Sequence, residues 1–126
     1  MIQAGKSIRT FVGSKDFEES CRFYETLEFE LHHHGKGFAY VSISPEIGFY
    51  LQDYYVKDWC ENSMLFLEVE DLPAYFDKII ELDLPGKFPG VKIMPIKQQI
   101  WGAEFFIIEP AGVLWHIGTF NKESVG

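Results

Sequence analysis

The chain has little cysteine and few basic residues. Cys21 and Cys60 are the only cysteines among 126 residues, and no Cys-x-x-Cys pair occurs, which argues against a zinc knuckle or a redox dithiol. There are 11 basic residues against 19 acidic ones, so the net charge is −8. Proteins that bind nucleic acid or anionic membranes usually carry the opposite balance, and we expect neither partner.

Long apolar runs are missing as well. No stretch approaches the ~18 consecutive apolar residues of a membrane-spanning helix. The first residues, MIQAGKSIRT, lack the apolar stretch of a signal peptide. We therefore expect a cytoplasmic protein whose thiols stay reduced.

Aromatic residues, in contrast, are abundant. Twelve Phe, six Tyr and three Trp make up 17% of the chain. One interpretation is a large aromatic core. The other is that some of the rings line a cavity and stack on a flat ligand. Both interpretations stay open at this point.

The predicted elements occur in the same order twice. Each half is predicted to contain a strand, a helix and three further strands, with Asp16 and Asp71 as the helix N-caps. In the first half we predict strands at about 7–13, 29–34, 37–43 and 47–53, and a helix that ends near Glu28. In the second half the predicted strands are at about 63–70, 91–97, 103–108 and 113–120, and Pro85-Gly86 is predicted to end the helix.

The spacing of matching residues indicates an internal duplication. Asp71 follows Asp16 by 55 positions, and Trp115-His116-Ile117 follows Phe49-Tyr50-Leu51 by 66 positions. Each βαβββ half would expose one face of its sheet and would need the other half to cover it. We predict one α+β domain over 1–126, with two pseudo-twofold-related modules at about 7–58 and 62–121.

Neither cysteine is predicted to be a nucleophile. Cys21 falls on the apolar side of the first helix, which indicates a core position. Cys60 lies in a predicted acidic loop between Asp58 and Glu61. Neighbouring carboxylates disfavour a thiolate there.

Two sets of motifs are informative beyond secondary structure. The first is Asp16-Phe17-Glu18-Glu19-Ser20 with Phe23-Tyr24, and the second is Trp101-Gly102-Ala103-Glu104-Phe105 with Glu109-Pro110-Ala111-Gly112 and His116. In these motifs the sequence resembles the vicinal oxygen chelate superfamily, which includes glyoxalase I, extradiol dioxygenases and bleomycin-resistance proteins. Within it, the second set is most similar to the bleomycin-resistance binding proteins. The resemblance implies the glyoxalase/bleomycin-resistance fold, a curved sheet from two modules with a central cleft.

The resemblance also implies four metal-ligand positions, which here are Arg9, Tyr50, Met64 and His116. The repeat supports them, because Met64 follows Arg9 by 55 positions and His116 follows Tyr50 by 66. Arg9 is a fixed cation, Met64 is a soft thioether, and only His116 is a good ligand for a divalent ion. We therefore expect no metal and no other cofactor. The run His32-His33-His34 is interpreted as a solvated strand end.

Strand alternation divides the side chains between a core side and a concave side. Val113, Trp115 and Ile117 are predicted to face the helices. The concave side receives a mixture of aromatic and polar residues, namely Arg9, Phe11, Tyr50, Gln52, Met64, Phe66, Glu68, Leu114, His116, Gly118 and Phe120. This composition is typical of a ligand pocket.

For the pocket itself, the resemblance implies that Phe38, Phe66 and Trp101 stack on a planar ligand. Glu68, Glu104 and the net negative charge favour a cation. The predicted ligand-binding set consists of Phe38, Tyr50, Met64, Phe66, Glu68, Trp101, Glu104 and His116.

Three functions remain open from the sequence. The first is a metal-free binding protein of the bleomycin-resistance type, a homodimer that sequesters a planar, cationic small molecule such as an antibiotic. The second is a metal-dependent lyase, isomerase or dioxygenase of the glyoxalase class. The third is a metal-free enzyme or interaction module in which Arg9 binds a carboxylate and His116, with Tyr50, transfers protons. These three residues are candidates for catalysis, and none is assigned to it.

Overall fold

Eight strands form the framework of the part of the chain that the computed structural model describes, residues 1–122. Positions 123–126 of the predicted domain lie outside the described residues. The strands are β1 (Phe11–Gly13), β2 (Glu30–Gly35), β3 (Phe38–Ser44), β4 (Ile47–Gln52), β5 (Met64–Glu68), β6 (Lys92–Gln99), β7 (Gly102–Ile108) and β8 (Leu114–Phe120).

The strands make two sheets with the same topology. Sheet A has the order β1-β4-β3-β2, and sheet B has the order β5-β8-β7-β6. The pairs β1–β4 and β5–β8 are parallel, and the other neighbouring pairs are antiparallel. The predicted α+β fold is confirmed.

Helices follow the first strand of each sheet, and both predicted N-caps are confirmed. The described residues contain α1 (Phe17–Thr26), α2 (Lys57–Asn62), α3 (Leu72–Glu81) and α4 (Leu84–Lys87). The backbone N–H of Glu19 donates to Asp16 Oδ1 at 3.1 Å, and that of Ala74 donates to Asp71 Oδ1 at 3.0 Å. Each cap satisfies a backbone donor that has no partner inside its helix.

The first strand is shorter than predicted. Pairing with β4 is confined to Phe11–Gly13, with one further hydrogen bond from Tyr50 N to the Thr10 carbonyl at 3.0 Å. Residues 1–10 are exposed. Alternation of apolar and polar residues indicates that a segment can form a strand. The hydrogen bonds of a sheet also require the backbone of a neighbouring strand.

Two other predictions were wrong around the connecting segments. Pro85-Gly86 does not end α3, which ends at Glu81; it lies inside the short α4. Proline fits the first turn of a helix because its missing N–H would have no intrahelical partner there. Cys60 is not in an open loop but lies on α2, where its side chain is buried as part of the hydrophobic core.

The predicted alternation agrees with burial. Phe49, Leu51, Trp115 and Ile117 are buried, and so is Cys21 on α1. The Tyr24 ring of α1 lies 5.1 Å from the Phe49 ring of sheet A and 5.8 Å from the Trp115 ring of sheet B. Part of the aromatic content therefore forms a core that joins the two sheets through α1.

A buried polar network follows the same path. Tyr24 Oη accepts from Trp115 Nε1 and donates to Glu109 Oε2, both at 3.1 Å. Glu109 Oε1 accepts from the backbone N–H groups of Ala111 and Val113 at 2.6 and 3.0 Å. Burial raises the pKa of Glu109 to about 7, because desolvation outweighs these hydrogen bonds.

The helices of residues 1–122 include none long and apolar enough to cross a membrane.

Candidate functional site

Two surfaces carry the predicted site residues, one on each sheet. We define face A as the side of sheet A that carries Arg9, Phe11, Phe38, Tyr40 and Tyr50. We define face B as the side of sheet B that carries Met64, Phe66, Trp101, Phe106, His116 and Phe120.

Face A combines a fixed cation with aromatic rings. Arg9 Nη1 donates to Tyr50 Oη at 3.1 Å, and the guanidinium lies 4.5 Å from the centroid of the Tyr40 ring. The hydrogen bond to Tyr50 is the main reason that the pKa of Arg9 is raised. Phe38 stacks on Tyr50 with centroids 5.3 Å apart, and Phe11 lies 5.2 Å from Tyr50. Arg9 is therefore held by tyrosines rather than by a carboxylate.

Face B contains a triangle of rings. Phe66 lies 5.8 Å from Trp101 and 5.5 Å from Phe120, and Trp101 lies 5.2 Å from Phe120. Phe66 on β5 is 44% exposed, so this ring contributes little to the core. Trp101 lies at the turn between β6 and β7 and contributes the third ring of the triangle.

Two glycines shape this face. A Cβ on Gly118 would lie 3.0 Å from Phe66 Cζ, so the absence of a side chain lets the Phe66 ring lie over β8. A Cβ on Gly102 would lie 2.0 Å from the Thr119 carbonyl oxygen. The space beside Gly102 is therefore filled by the molecule's own β8.

A histidine–carboxylate pair lies next to the ring triangle. His116 Nδ1 and Glu104 Oε1 are 2.9 Å apart, and Gln99 Nε2 donates to Glu104 Oε2 at 3.1 Å. His116 Nε2 is 3.4 Å from Met64 Sδ. Phe106 packs edge-on against the His116 ring at 4.7 Å.

Glu104 differs from its predicted role. It is 5% exposed, and each of its carboxylate oxygens already has a protein partner. It therefore does not offer a free carboxylate to a cation on the surface. Glu68, in contrast, is exposed at the end of β5.

Phe106 was missed by the sequence reasoning, although a signal was available. It pairs with His116 across β7 and β8 and alternates with the buried Phe105. Because Phe105 and Phe106 are adjacent and equally apolar, the sequence did not show which of them faces the core. Phe120, placed on the concave side by alternation, is part of the triangle.

The four metal-ligand positions that the resemblance implied form two equivalent pairs. Arg9 contacts Tyr50, and Met64 contacts His116. The parallel registers Phe11↔Tyr50 and Phe66↔His116 match the sequence offsets of 55 and 66 positions. A guanidinium has no lone pair to give, and a thioether suits soft ions, so this donor set does not fit a hard divalent ion.

The histidine run is distributed over both sides of β2. His32 lies 6.3 Å from Tyr40 and His34 lies 6.3 Å from Phe38, whereas His33 lies 6.3 Å from Phe17 of α1. His32 Nε2 is 3.0 Å from Glu30 Oε1 on the exposed strand. Within residues 1–122, no group of three His, Cys, Asp or Glu side chains could hold a metal ion.

The predicted site residues are thus divided between the sheets. Phe38, Tyr50 and Arg9 lie on face A, and Met64, Phe66, Trp101 and His116 lie on face B. A cleft of about 530 Å³ between the sheets is lined by residues from both, including Arg9, Ile47, Leu65 and Phe66. Tyr50 and His116, proposed together for proton transfer, belong to different pairs.

The architecture can be compared with solved structures. A bleomycin-binding protein complexed with bleomycin superposes with a TM-score of 0.76 and 16% identity over 93% of this chain and 100% of its own. The bleomycin-binding protein of Streptomyces verticillus with copper(II)-bleomycin gives a TM-score of 0.77 and 20% identity, and the match covers 96% of this chain and 100% of that protein's chain. This chain has the glyoxalase/bleomycin-resistance fold. The fold that the resemblance implied is thereby confirmed.

Other structures with the glyoxalase/bleomycin-resistance fold have different descriptions. TnmS3, an antibiotic-binding protein from Streptomyces sp. CB03234, gives a TM-score of 0.73 and 20% identity over 95% of this chain and 100% of its own. A glyoxylase/bleomycin resistance protein/dioxygenase domain from Frankia sp. EAN1pec gives a TM-score of 0.74 and 15% identity, and the match covers 97% of this chain and 96% of that domain's chain. Neither a scan against protein-family models nor a search of curated proteins found a match. At these identities the similarity fixes the fold, and function has to be argued from the site.

Proposed function

We propose that this protein is a metal-free binding protein of the bleomycin-resistance type, which sequesters a planar, cationic small molecule on face B. The observation that carries the proposal is the ring triangle of Phe66, Trp101 and Phe120. Its member Phe66 is 44% exposed, although a phenylalanine gains most from complete burial. Rings held 5–6 Å apart at a surface provide a wall on which a flat ligand can stack.

Charge supports a cationic ligand. The chain has a net charge of −8, and Glu68 is exposed at the end of β5. Opposite charge favours encounter with a cation and raises its association rate. The bleomycin-binding proteins and TnmS3, which share this fold, are described as antibiotic binders, and this agrees with an antibiotic as the ligand.

The proposal includes a homodimer of single-domain chains in the cytoplasm. Phe11 on face A is 58% exposed, and a second copy would cover such an apolar side chain while face B keeps the ligand. The free cysteines Cys21 and Cys60 agree with a reducing compartment.

A fluorescence titration tests the proposed function. In the Trp59→Phe variant, Trp101 and the buried Trp115 remain as the tryptophans of the chain. We expect saturable quenching by planar cations, bleomycin among them, because a stacked ligand contacts Trp101. The additional substitution Trp101→Phe should remove that quenching. If small acids bind saturably and planar cations do not bind, the proposal is contradicted.

A further inference from the structure

The carboxylate of Glu104 is built into the protein and is not part of the open surface. It is 5% exposed, and its two oxygens are engaged by Gln99 Nε2 and by His116 Nδ1. Gln99 is at the end of β6, Glu104 is on β7, and His116 is on β8. Three neighbouring strands therefore fix this group, and the β7–β8 register holds His116 opposite Phe106.

The contact with Glu104 determines which nitrogen of His116 carries hydrogen. An ionised carboxylate only accepts hydrogen bonds, so the 2.9 Å contact requires a hydrogen on Nδ1. In the neutral imidazole, Nε2 then has a lone pair and no hydrogen. The hydrogen bond at one ring nitrogen thus defines the chemistry of the other.

Nε2 is directed to the ligand side of face B. Its neighbour at 3.4 Å is Met64 Sδ, a weak acceptor that competes poorly with the Glu104 carboxylate for the hydrogen of the neutral ring. Met64 is 65% exposed and flexible, so a ligand can displace it at little cost. The His116 ring also lies 6.4 Å from Phe66, with an interplanar angle of 28°. The acceptor is therefore beside the ring on which we propose that the ligand stacks.

We infer that His116 Nε2 accepts a hydrogen bond from the ligand and that Glu104 is the positioning residue that keeps it an acceptor. This defines the ligand class further as a planar cation with an N–H or O–H donor at its edge, such as an aromatic amine. The ligand part of the inference rests on the proposed function. The positioning part concerns the free protein.

The positioning part is tested first by nitrogen-15 NMR of the imidazole in the unliganded protein, at a pH where His116 is neutral. We expect the hydrogen of His116 on Nδ1. Glu104→Leu, which removes the acceptor, should move a substantial fraction of it to Nε2. Glu68→Gln changes an exposed carboxylate of the same sheet and should leave the tautomer unchanged. A wild-type protein with its hydrogen on Nε2 would overturn the inference.

The ligand part is tested with two dyes of equal charge and the same rings. The 3,6-diamino-10-methylacridinium cation has exocyclic N–H donors, and 3,6-bis(dimethylamino)-10-methylacridinium has none. We expect the wild-type protein to bind the diamino dye roughly three- to tenfold more tightly, as for one net hydrogen bond. His116→Phe keeps a ring but loses the acceptor, and this preference should disappear.

The outcomes separate the two proposals. Equal affinity of both dyes for the wild-type protein, or a preference that persists in His116→Phe, would overturn the ligand part of the inference. If neither dye binds while Nδ1 carries the hydrogen, the planar-cation function is contradicted and the positioning role of Glu104 is supported.

Discussion

At the scale of single residues, two tryptophans occupy contrasting surroundings. Trp115 is 2% exposed and lies against the rings of Tyr24, Phe29 and Phe49. Trp101 is at the β6–β7 turn and borders the open side of face B. The same residue type can thus serve the core in one place and a binding surface in another.

Alanine substitutions should separate these roles. Trp101→Ala should weaken ligand binding by roughly 1–3 kcal/mol, as for aromatic platforms that stack flat bases, and should leave the fold largely intact. Trp115→Ala should lower the free energy of unfolding by about 3–5 kcal/mol. Urea denaturation and ligand titration measure the two effects. Unfolding of Trp101→Ala, with normal affinity in its folded fraction, would show that Trp101 is structural.

The raised pKa of Glu109 predicts that the stability of the protein depends on pH. Its pKa is about 7 in the folded protein, against 4.5 for an ordinary glutamate. Between these values the folded chain holds a proton that the unfolded chain has lost. The contribution of Glu109 to the free energy of unfolding is therefore fully present below pH 4.5. It falls by on the order of 3 kcal/mol as the pH rises to about 7.

Glu109→Gln tests this effect, because the amide oxygen can still accept from the backbone of Ala111 and Val113. We expect the free energy of unfolding of this variant to fall less than that of the wild type between pH 4.5 and 7. The exposed Glu68→Gln serves as the control and should follow the wild type. Equal pH profiles for Glu109→Gln and the wild type would contradict the assignment.

At the scale of elements, the two modules use the same device to begin a helix. Asp16 starts α1 and Asp71 starts α3, each accepting from the backbone three residues later. The contact between Met64 and His116 joins β5 to β8, and the equivalent contact between Arg9 and Tyr50 joins the segment before β1 to β4. The two halves of the chain therefore share the caps, whereas the chemistry of these residue pairs differs.

Removal of a cap should cost stability without loss of the fold. Asp16→Ala and Asp71→Ala should each lower the free energy of unfolding by about 1 kcal/mol, whereas Asp→Asn at either position should cost much less. Urea denaturation monitored by circular dichroism measures the change. Asp77→Ala, on the exposed side of α3, is the matched control. A loss at Asp77 as large as that at Asp71 would argue against a capping effect.

At the scale of the whole molecule, both sheets leave apolar side chains uncovered. Phe11 on face A and Met64 and Phe66 on face B are exposed. Exposed apolar patches on a protein surface mark sites of association or ligand binding. We assign the exposed side chain of face A to the proposed dimer and those of face B to the proposed ligand site.

We expect a homodimer of 14.6 kDa chains in solution at micromolar concentration. Phe11→Lys should shift the equilibrium toward monomer, because it places a charge in face A, which a second copy would cover. Ile80→Lys changes an equally apolar exposed residue on α3 and should leave the mass unchanged. Light scattering gives the masses. A monomeric wild type would contradict the dimer.

The sequence by itself determined the features that depend on local periodicity. Strand alternation identified the core positions of β4 and β8, and the capping aspartates located the two longer helices. The offsets of 55 and 66 positions predicted which residues are equivalent in the two modules. These properties follow from backbone geometry over a few residues, so they can be read without knowledge of distant contacts.

Only the tertiary structure decided which side-chain atoms meet. Alternation gives the side of a strand on which Glu104 lies, but the register between β6, β7 and β8 brings Gln99 and His116 to its two oxygens. That register is set by pairing between distant segments. It is also why Glu104 orients a histidine instead of facing a cation, and why Arg9 and His116 belong to different faces.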